Sequence, residues 1–238
     1  MISFKTQIDG NWKKLMELIN KYFKDDIKEN ILKLHEHFED RIKSAPASGR
    51  PNYHNCFKGG YLDHVIRVIE TSLKINNNFK ELGVKHKHSD SDIVLASMFH
   101  DLGKIGNMEE PYYIYQTDEW RRNKLNEWYT HNPKLEIGSV TDRSLWLLSK
   151  FNIDVSEEVY KAIKLSDGVF NPGNEREYRK STDSRNILHY IVHFSDWMST
   201  VTEKQHYLQS LDLEDEVNVD NNTDLSELKN AFDDLFNE

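Results

Sequence analysis

The stretch Phe99-His100-Asp101-Leu102-Gly103-Lys104 closes an apolar run that begins near Ile93. A histidine and an aspartate on consecutive positions offer an imidazole nitrogen and a carboxylate oxygen, a donor pair suited to a divalent cation of intermediate hardness. In a regular helix neighbouring side chains point about 100° apart, so both reach one ion most easily where the helix is ending. Gly103 and Gly106 supply that ending. A cation held this way lowers the pKa of a bound water, so that hydroxide is available near neutrality. Two distant segments add weight to the His-Asp pair with donors of the same two types. His64 lies in Gly59-Gly60-Tyr61-Leu62-Asp63-His64, a helix start behind a glycine pair, and Asp196 lies in His193-Phe194-Ser195-Asp196-Trp197 inside a long apolar-striped segment. A rival set shares Asp196: His189 and His193 stand four apart, with Asp196 three further on, all on one helical face.

The order His64, His100-Asp101, Asp196 resembles the HD-domain metal-dependent phosphohydrolases over roughly residues 50–200. In detail the chain looks most like HD hydrolases encoded by large tailed bacteriophages, and more distantly like bacterial HD-type 3′–5′ exonucleases. The resemblance implies that His64, His100, Asp101 and Asp196 are four metal ligands and that Lys104, at a position where many members carry lysine, meets a substrate phosphate. Relatives with two or three metals carry additional histidines between the His-Asp pair and the last aspartate. Here the aligned stretch reads Ser166-Asp167, and His131 is the only histidine between positions 102 and 188. That departure favours one divalent ion (Mn, Co, Ni, Fe, Mg or Zn) and leaves Asp167 as a proton acceptor or water-organising carboxylate.

Three functions follow as expectations. The first is hydrolysis of a phosphate ester or anhydride of a (deoxy)nucleotide, although HD nucleotidases often carry a glutamate where this chain has Lys104. The second is a phosphodiesterase or 3′–5′ exonuclease, supported by the His-Asp-Leu-Gly-Lys form. The third is a non-catalytic helical binding protein, against which the intact ligand set argues. Arg50, Lys58, Arg143 and Lys164, with Arg176 and Arg179, are the candidates for phosphate binding, and the loop 44–52 delivers Arg50, His54 and Lys58 just ahead of His64.

Charge limits the partners. Residues 212–238 carry ten acids and one base, Lys229, and so account for the whole net charge of −9. The remainder is balanced, which favours a small nucleotide-like anion over long nucleic acid. The single cysteine, Cys56, precludes an internal disulfide and reads as a bystander thiol in a reducing, cytoplasmic setting. No apolar leader and no membrane span are expected, and self-association is left open.

The ligands need helices to hold them, and the 3.6-residue apolar period supplies these. It predicts helices over Trp12–Phe23 and Asp26–Ile42, one from the glycine pair to Asn76-Asn77-Asn78, and one capped by Ser89 or Asp90 that ends at His100-Asp101. Further helices are expected from Thr141, from Ser156 to Leu165, and behind a cap at Asp183 or Ser184. His35, His37 and the Lys85–His88 tract are expected at the surface. Tyr112-Tyr113-Ile114-Tyr115, Trp120 and Trp128-Tyr129 mark a small hairpin or irregular flap, which clamps a base or packs onto the body. The predicted fold is an all-α helical bundle of the HD type: N-terminal helices over 1–45, a core over 46–206 with the insert at about 107–133, and an acidic tail over 207–238 with a short amphipathic helix.

Overall fold

The computed structural model describes residues 4–135, 138–179 and 186–220. Among them are ten α-helices and a single two-stranded sheet, so the architecture is all-helical apart from one hairpin. The described residues as far as Lys204 form one compact unit, and those from Gln205, helical to Asp220, belong to a second. The predicted tail helix over 225–236 and the cap at Asp183 or Ser184 lie outside the described residues.

Apolar periodicity and capping account for most of the first unit. Helix α1 (Phe4–Tyr22) is followed by α2 (Asp25–His37) and α3 (Glu39–Ser44). The single helix expected over Asp26–Ile42 is therefore broken at Phe38 (φ −108). Ile31, Leu34, Phe38 and Ile42 nevertheless stay buried in one stripe, with the Phe38 ring 5.7 Å from that of Phe151. Helix α4 (Gly60–Glu81) runs beyond the asparagines expected to end it, because Asn76 turns inward and donates to Asp90 Oδ1 at 2.9 Å. Ser89 and Ser139 each form a capping box with the aspartate three residues on, opening α5 (Asp90–Phe99) and α7 (Val140–Lys150). Ser156 caps α8 (Glu157–Lys164). Such caps are worth about 1 kcal/mol each. Two short helices complete the set between α5 and α10: α6 (Glu119–Leu125) and α9 (Glu175–Arg179). Helix α10 begins at Leu188.

The core lies where α4 packs on α5, with α1 and α8 against the same pair. Leu62, Ile69, Ile93, Phe99, Leu188 and Ile191 are all buried there. His35, expected at the surface, is in fact inside. It sits at the edge of the α2 stripe, its Nδ1 donates to Ile31 O at 2.8 Å, and its ring lies 5.8 Å from that of Phe99. Burial pushes its pKa down to about 4. His88 is likewise buried, although Lys85 and Lys87 beside it are exposed. Phe99 precedes His100 directly and is wholly enclosed. Phe99→Ala is expected to cost about 3–5 kcal/mol, read from urea denaturation of the metal-free protein.

The insert contains a hairpin. Strand β1 (Tyr113–Tyr115) pairs antiparallel with β2 (Tyr129–His131), with Ile114 opposite Thr130, and α6 fills the connection. It is fastened to the loop before α4. Trp128 N and Tyr129 N donate to Gly49 O, and Glu127 receives Arg50 at 2.9 Å and Gln116 at 3.0 Å. Tyr113 turns toward the body while Trp120 is 62% exposed, so these aromatics divide between packing and solvent.

Candidate metal centre

Helix α5 ends at Phe99, His100 caps it, and Asp101 (φ −112) leads into a 3-10 turn over Leu102–Ile105. This break lets two consecutive side chains converge. It is locked from outside by α7: a Cβ on Gly103 would lie 2.1 Å from Val140 O, Gly103 N donates to Ser144 Oγ at 2.8 Å, and Arg143 donates to Gly103 O at 2.9 Å. Only glycine lets α7 approach this closely. The glycine pair before His64 has a related cause. Gly59 takes φ +81, and a Cβ on Gly60 would lie 2.1 Å from Asn55 O, so the loop closes tightly over the start of α4.

Four side chains meet at this point. His64 Nε2 is 3.1 Å from Asp196 Oδ1 and 3.7 Å from Asp101 Oδ2. His100 Nε2 is 3.5 Å from Asp101 Oδ2 and 3.7 Å from Asp196 Oδ1. Ligand atoms of His64, His100 and Asp101 all lie within 4.8 Å of one another. Both imidazoles are wholly buried, and neither Nε2 has a hydrogen-bond partner of acceptable geometry, although Asp196 stands close. The other ring nitrogens are committed. His64 Nδ1 donates to Glu203 at 3.0 Å and His100 Nδ1 to Ser97 O at 2.8 Å. Carboxylates and carbonyls only accept, so in the neutral rings both Nε2 atoms present lone pairs inward. Two orphaned nitrogens facing two carboxylates fit a divalent cation by donor type and by burial.

The electrostatics describe the same cluster without an ion. Burial alone would lower the pKa of His64, but Glu203 and Asp196 outweigh it and raise it to about 10. His100 is raised for a similar reason, by Asp101 and Asp196 against burial. Burial likewise opposes ionisation of Asp101, yet Lys104 and the imidazoles hold it below the usual carboxylate range; the two imidazoles hold Asp196 well below it. Lys104 Nζ lies 2.6 Å from Asp101 Oδ2 and is stabilised as a cation. Asp167, at the turn before Gly168, is shifted the other way: burial and then Asp101 and Asp196 raise its pKa.

The remaining candidates are placed elsewhere. Arg50 is paired with Glu127, and Lys164 with Asp142. Arg143 is buried, holding Gly103 O and lying 4.8 Å over the Tyr112 ring. Lys58, Arg176 and Arg179 are exposed, with Arg179 on Glu175. The rival set does not assemble: His193 Nδ1 donates to Ser166 O at 2.7 Å, and neither His189 nor His193 joins a metal-capable group among the described residues. Burial pushes the Cys56 thiol up to about 12, which fits a bystander.

Three residues emerge that the motif did not indicate. Glu203 and Arg67 stand behind His64, with Arg67 Nε 3.1 Å from Glu203 Oε1. His54 lies beside it, ring centroids 4.8 Å apart, with a buried and unpartnered Nε2. His54, Lys104, Tyr113, Thr200 and Lys204 line a cleft of about 330 Å³ that opens beside the cluster. A signal for Glu203 was available, since it follows Asp196 by seven residues and so by about two turns of one helix. His54 carried none. Compared with protein-family models, with curated proteins and with solved structures, the chain matches none.

Proposed function

We propose that the protein is a metal-dependent phosphohydrolase of the HD type, acting on a phosphate ester or anhydride of a (deoxy)nucleotide. The observation that carries the reading is the pair of buried, unpartnered Nε2 atoms of His64 and His100 facing the carboxylates of Asp101 and Asp196. One divalent ion bound there would supply charge neutralisation at a phosphoryl oxygen and acidify the attacking water. The chain's own groups do the rest. Asp101 and Asp196 bring negative charge and the two imidazoles bring neutral donors, while Lys104 fixes Asp101 and faces the cleft with its remaining N–H donors. His54 and Lys204 line the same cleft and meet further phosphate oxygens. Asp167 is a stronger base than an ordinary carboxylate, because burial and its acidic neighbours favour its protonated form, and it takes the proton of the attacking water. A cleft of this volume suits a mononucleotide-sized anion, and Tyr113 on its wall offers an aromatic face.

A metal-by-substrate panel tests the reading. The metal-free protein is supplied with Mn²⁺, Co²⁺, Ni²⁺, Fe²⁺, Mg²⁺ or Zn²⁺ and offered p-nitrophenyl phosphate, bis-p-nitrophenyl phosphate and a set of nucleotides. Metal-dependent phosphate release from the monoester and from at least one nucleotide is expected. Turnover of the diester alone would replace this reading with a phosphodiesterase or exonuclease, and turnover of nothing with a binding protein.

A further inference from the structure

The two imidazoles of the cluster are not held alike. His100 gives its Nδ1 proton to a neutral backbone carbonyl, Ser97 O. His64 gives its own to a carboxylate, with both oxygens of Glu203 in reach at 3.0 and 3.2 Å. That carboxylate is 1% exposed, an expensive place for a negative charge unless a cation answers it. Arg67 answers it with Nε on Glu203 Oε1 at 3.1 Å.

Arg67 is itself held. Its second contact is Asp63 Oδ2 at 3.2 Å, and Asp63 also accepts from Asn55 Nδ2 at 3.0 Å and from Asn11 Nδ2 at 3.1 Å. A continuous polar chain thus runs from α1 (Asn11) and the loop before α4 (Asn55) through Asp63 and Arg67 to Glu203 and His64. Glu203 reaches into it from α10, the helix that also carries Asp196. The helix face that would bring a carboxylate to the ion also brings one to the back of a ligand. A charged acceptor behind an imidazole fixes the tautomer and ring orientation and makes the opposite nitrogen a better donor to a cation.

We propose that Glu203 is a positioning residue for the metal centre, holding His64 with Nε2 aimed at the ion, and that Arg67 holds Glu203 in place for that task. The inference rests on the metal-centre reading above and adds residues to it. Neither side chain needs to touch substrate. Arg67 therefore stands two hydrogen bonds behind His64, and its removal has a smaller effect than that of Glu203.

The test is Mn²⁺ affinity, measured by chelator competition at one fixed pH on the full chain as wild type, Glu203→Gln and Arg67→Met. Glutamine keeps the shape of Glu203 and removes its charge. Glu203→Gln is expected to weaken Mn²⁺ binding about 10–100-fold and Arg67→Met roughly threefold to tenfold, the scale of outer-partner losses. A second readout is the ¹H–¹⁵N spectrum of the Zn²⁺-loaded protein, where His64 should carry its proton on Nδ1 in the wild type and show a weakened or shifted Nδ1–H signal in Glu203→Gln. A merely structural role would lower thermal stability and leave both readouts unmoved. Binding by Glu203→Gln within about twofold of wild type, or a His64 proton found on Nε2, overturns the proposal. Should Glu203→Gln not fold, the half-exposed Arg67 decides, and wild-type affinity in Arg67→Met overturns it equally. A wild-type chain that takes up no Mn²⁺ removes the metal centre itself and this role with it.

Discussion

Asp101→Ala is expected to reduce turnover of every accepted phosphate substrate to the buffer background and to weaken Mn²⁺ binding more than 100-fold, beyond the 10–100-fold cost of an outer partner. Asp101 is the point on which two tasks converge. One of its oxygens lies 3.5 and 3.7 Å from the two unpartnered Nε2 atoms and 2.6 Å from Lys104 Nζ. Removing it would delete a ligand of the proposed ion and leave the partly buried Lys104 ammonium without its counter-charge. Breaking a buried pair from one side costs about 3–5 kcal/mol, so part of the loss could come from the fold. Asp101→Asn separates the two effects: it keeps the volume and an acceptor for Lys104 but removes the charge that holds a cation. With circular dichroism and the urea midpoint as controls for folding, Asp101→Asn should bind Mn²⁺ at least tenfold more weakly and turn over negligibly. Unchanged turnover in both variants would sink the assignment of the centre.

How much of this was readable beforehand depended on the kind of signal. Helix starts were legible at Ser89, expected as a cap, and to within a residue at Thr141, although the Ser139 capping box that opens that helix was not singled out. The hairpin was legible as an aromatic interruption of helical period. The break at Phe38 was not, since the apolar stripe stays in phase across it and periodicity senses phase alone. His64, His100, Asp101 and Asp196 were singled out by the order of a motif they resemble, yet only the fold brings them together. The cations were harder. Arg50, Arg143 and Lys164 were candidates for phosphate contacts, but each has a protein partner supplied by a distant segment. Lys204 and His54 line the cleft instead, a matter of which helix face meets which loop. Arg67 is an i, i+4 partner of Asp63, and nothing local in the sequence points to its second contact with Glu203.

Raising the pH from 7 to 9 should tighten Mn²⁺ binding by about one to two orders of magnitude per unit while destabilising the metal-free protein. Without an ion, His64 is a cation among carboxylates: burial favours its neutral form, but Glu203 and Asp196 lift its pKa from 6.5 to about 10, and His100 is also raised. A histidine whose folded pKa exceeds its unfolded one contributes stability that is complete below about 6.5 and is lost as pH climbs toward 10. At 1.36 kcal/mol per unit this amounts to a few kcal/mol. Asp101 and Asp196 are depressed, so their contribution is complete above the ordinary carboxylate range and is lost only as pH falls below it. The cluster therefore stabilises the metal-free fold best between about pH 4 and 6.5. An ion needs both imidazoles neutral, so it must displace the protons that stabilise the metal-free state. Between one and two protons should leave per Mn²⁺ bound at neutral pH, measurable by calorimetry in buffers of different ionisation enthalpy. The rise in melting temperature on adding Mn²⁺ should be larger at pH 8.5 than at pH 6, because alkali removes the competing proton and the stability it supplied at once. Binding that releases no protons and keeps one affinity across that range would mean the ion sits away from His64 and His100.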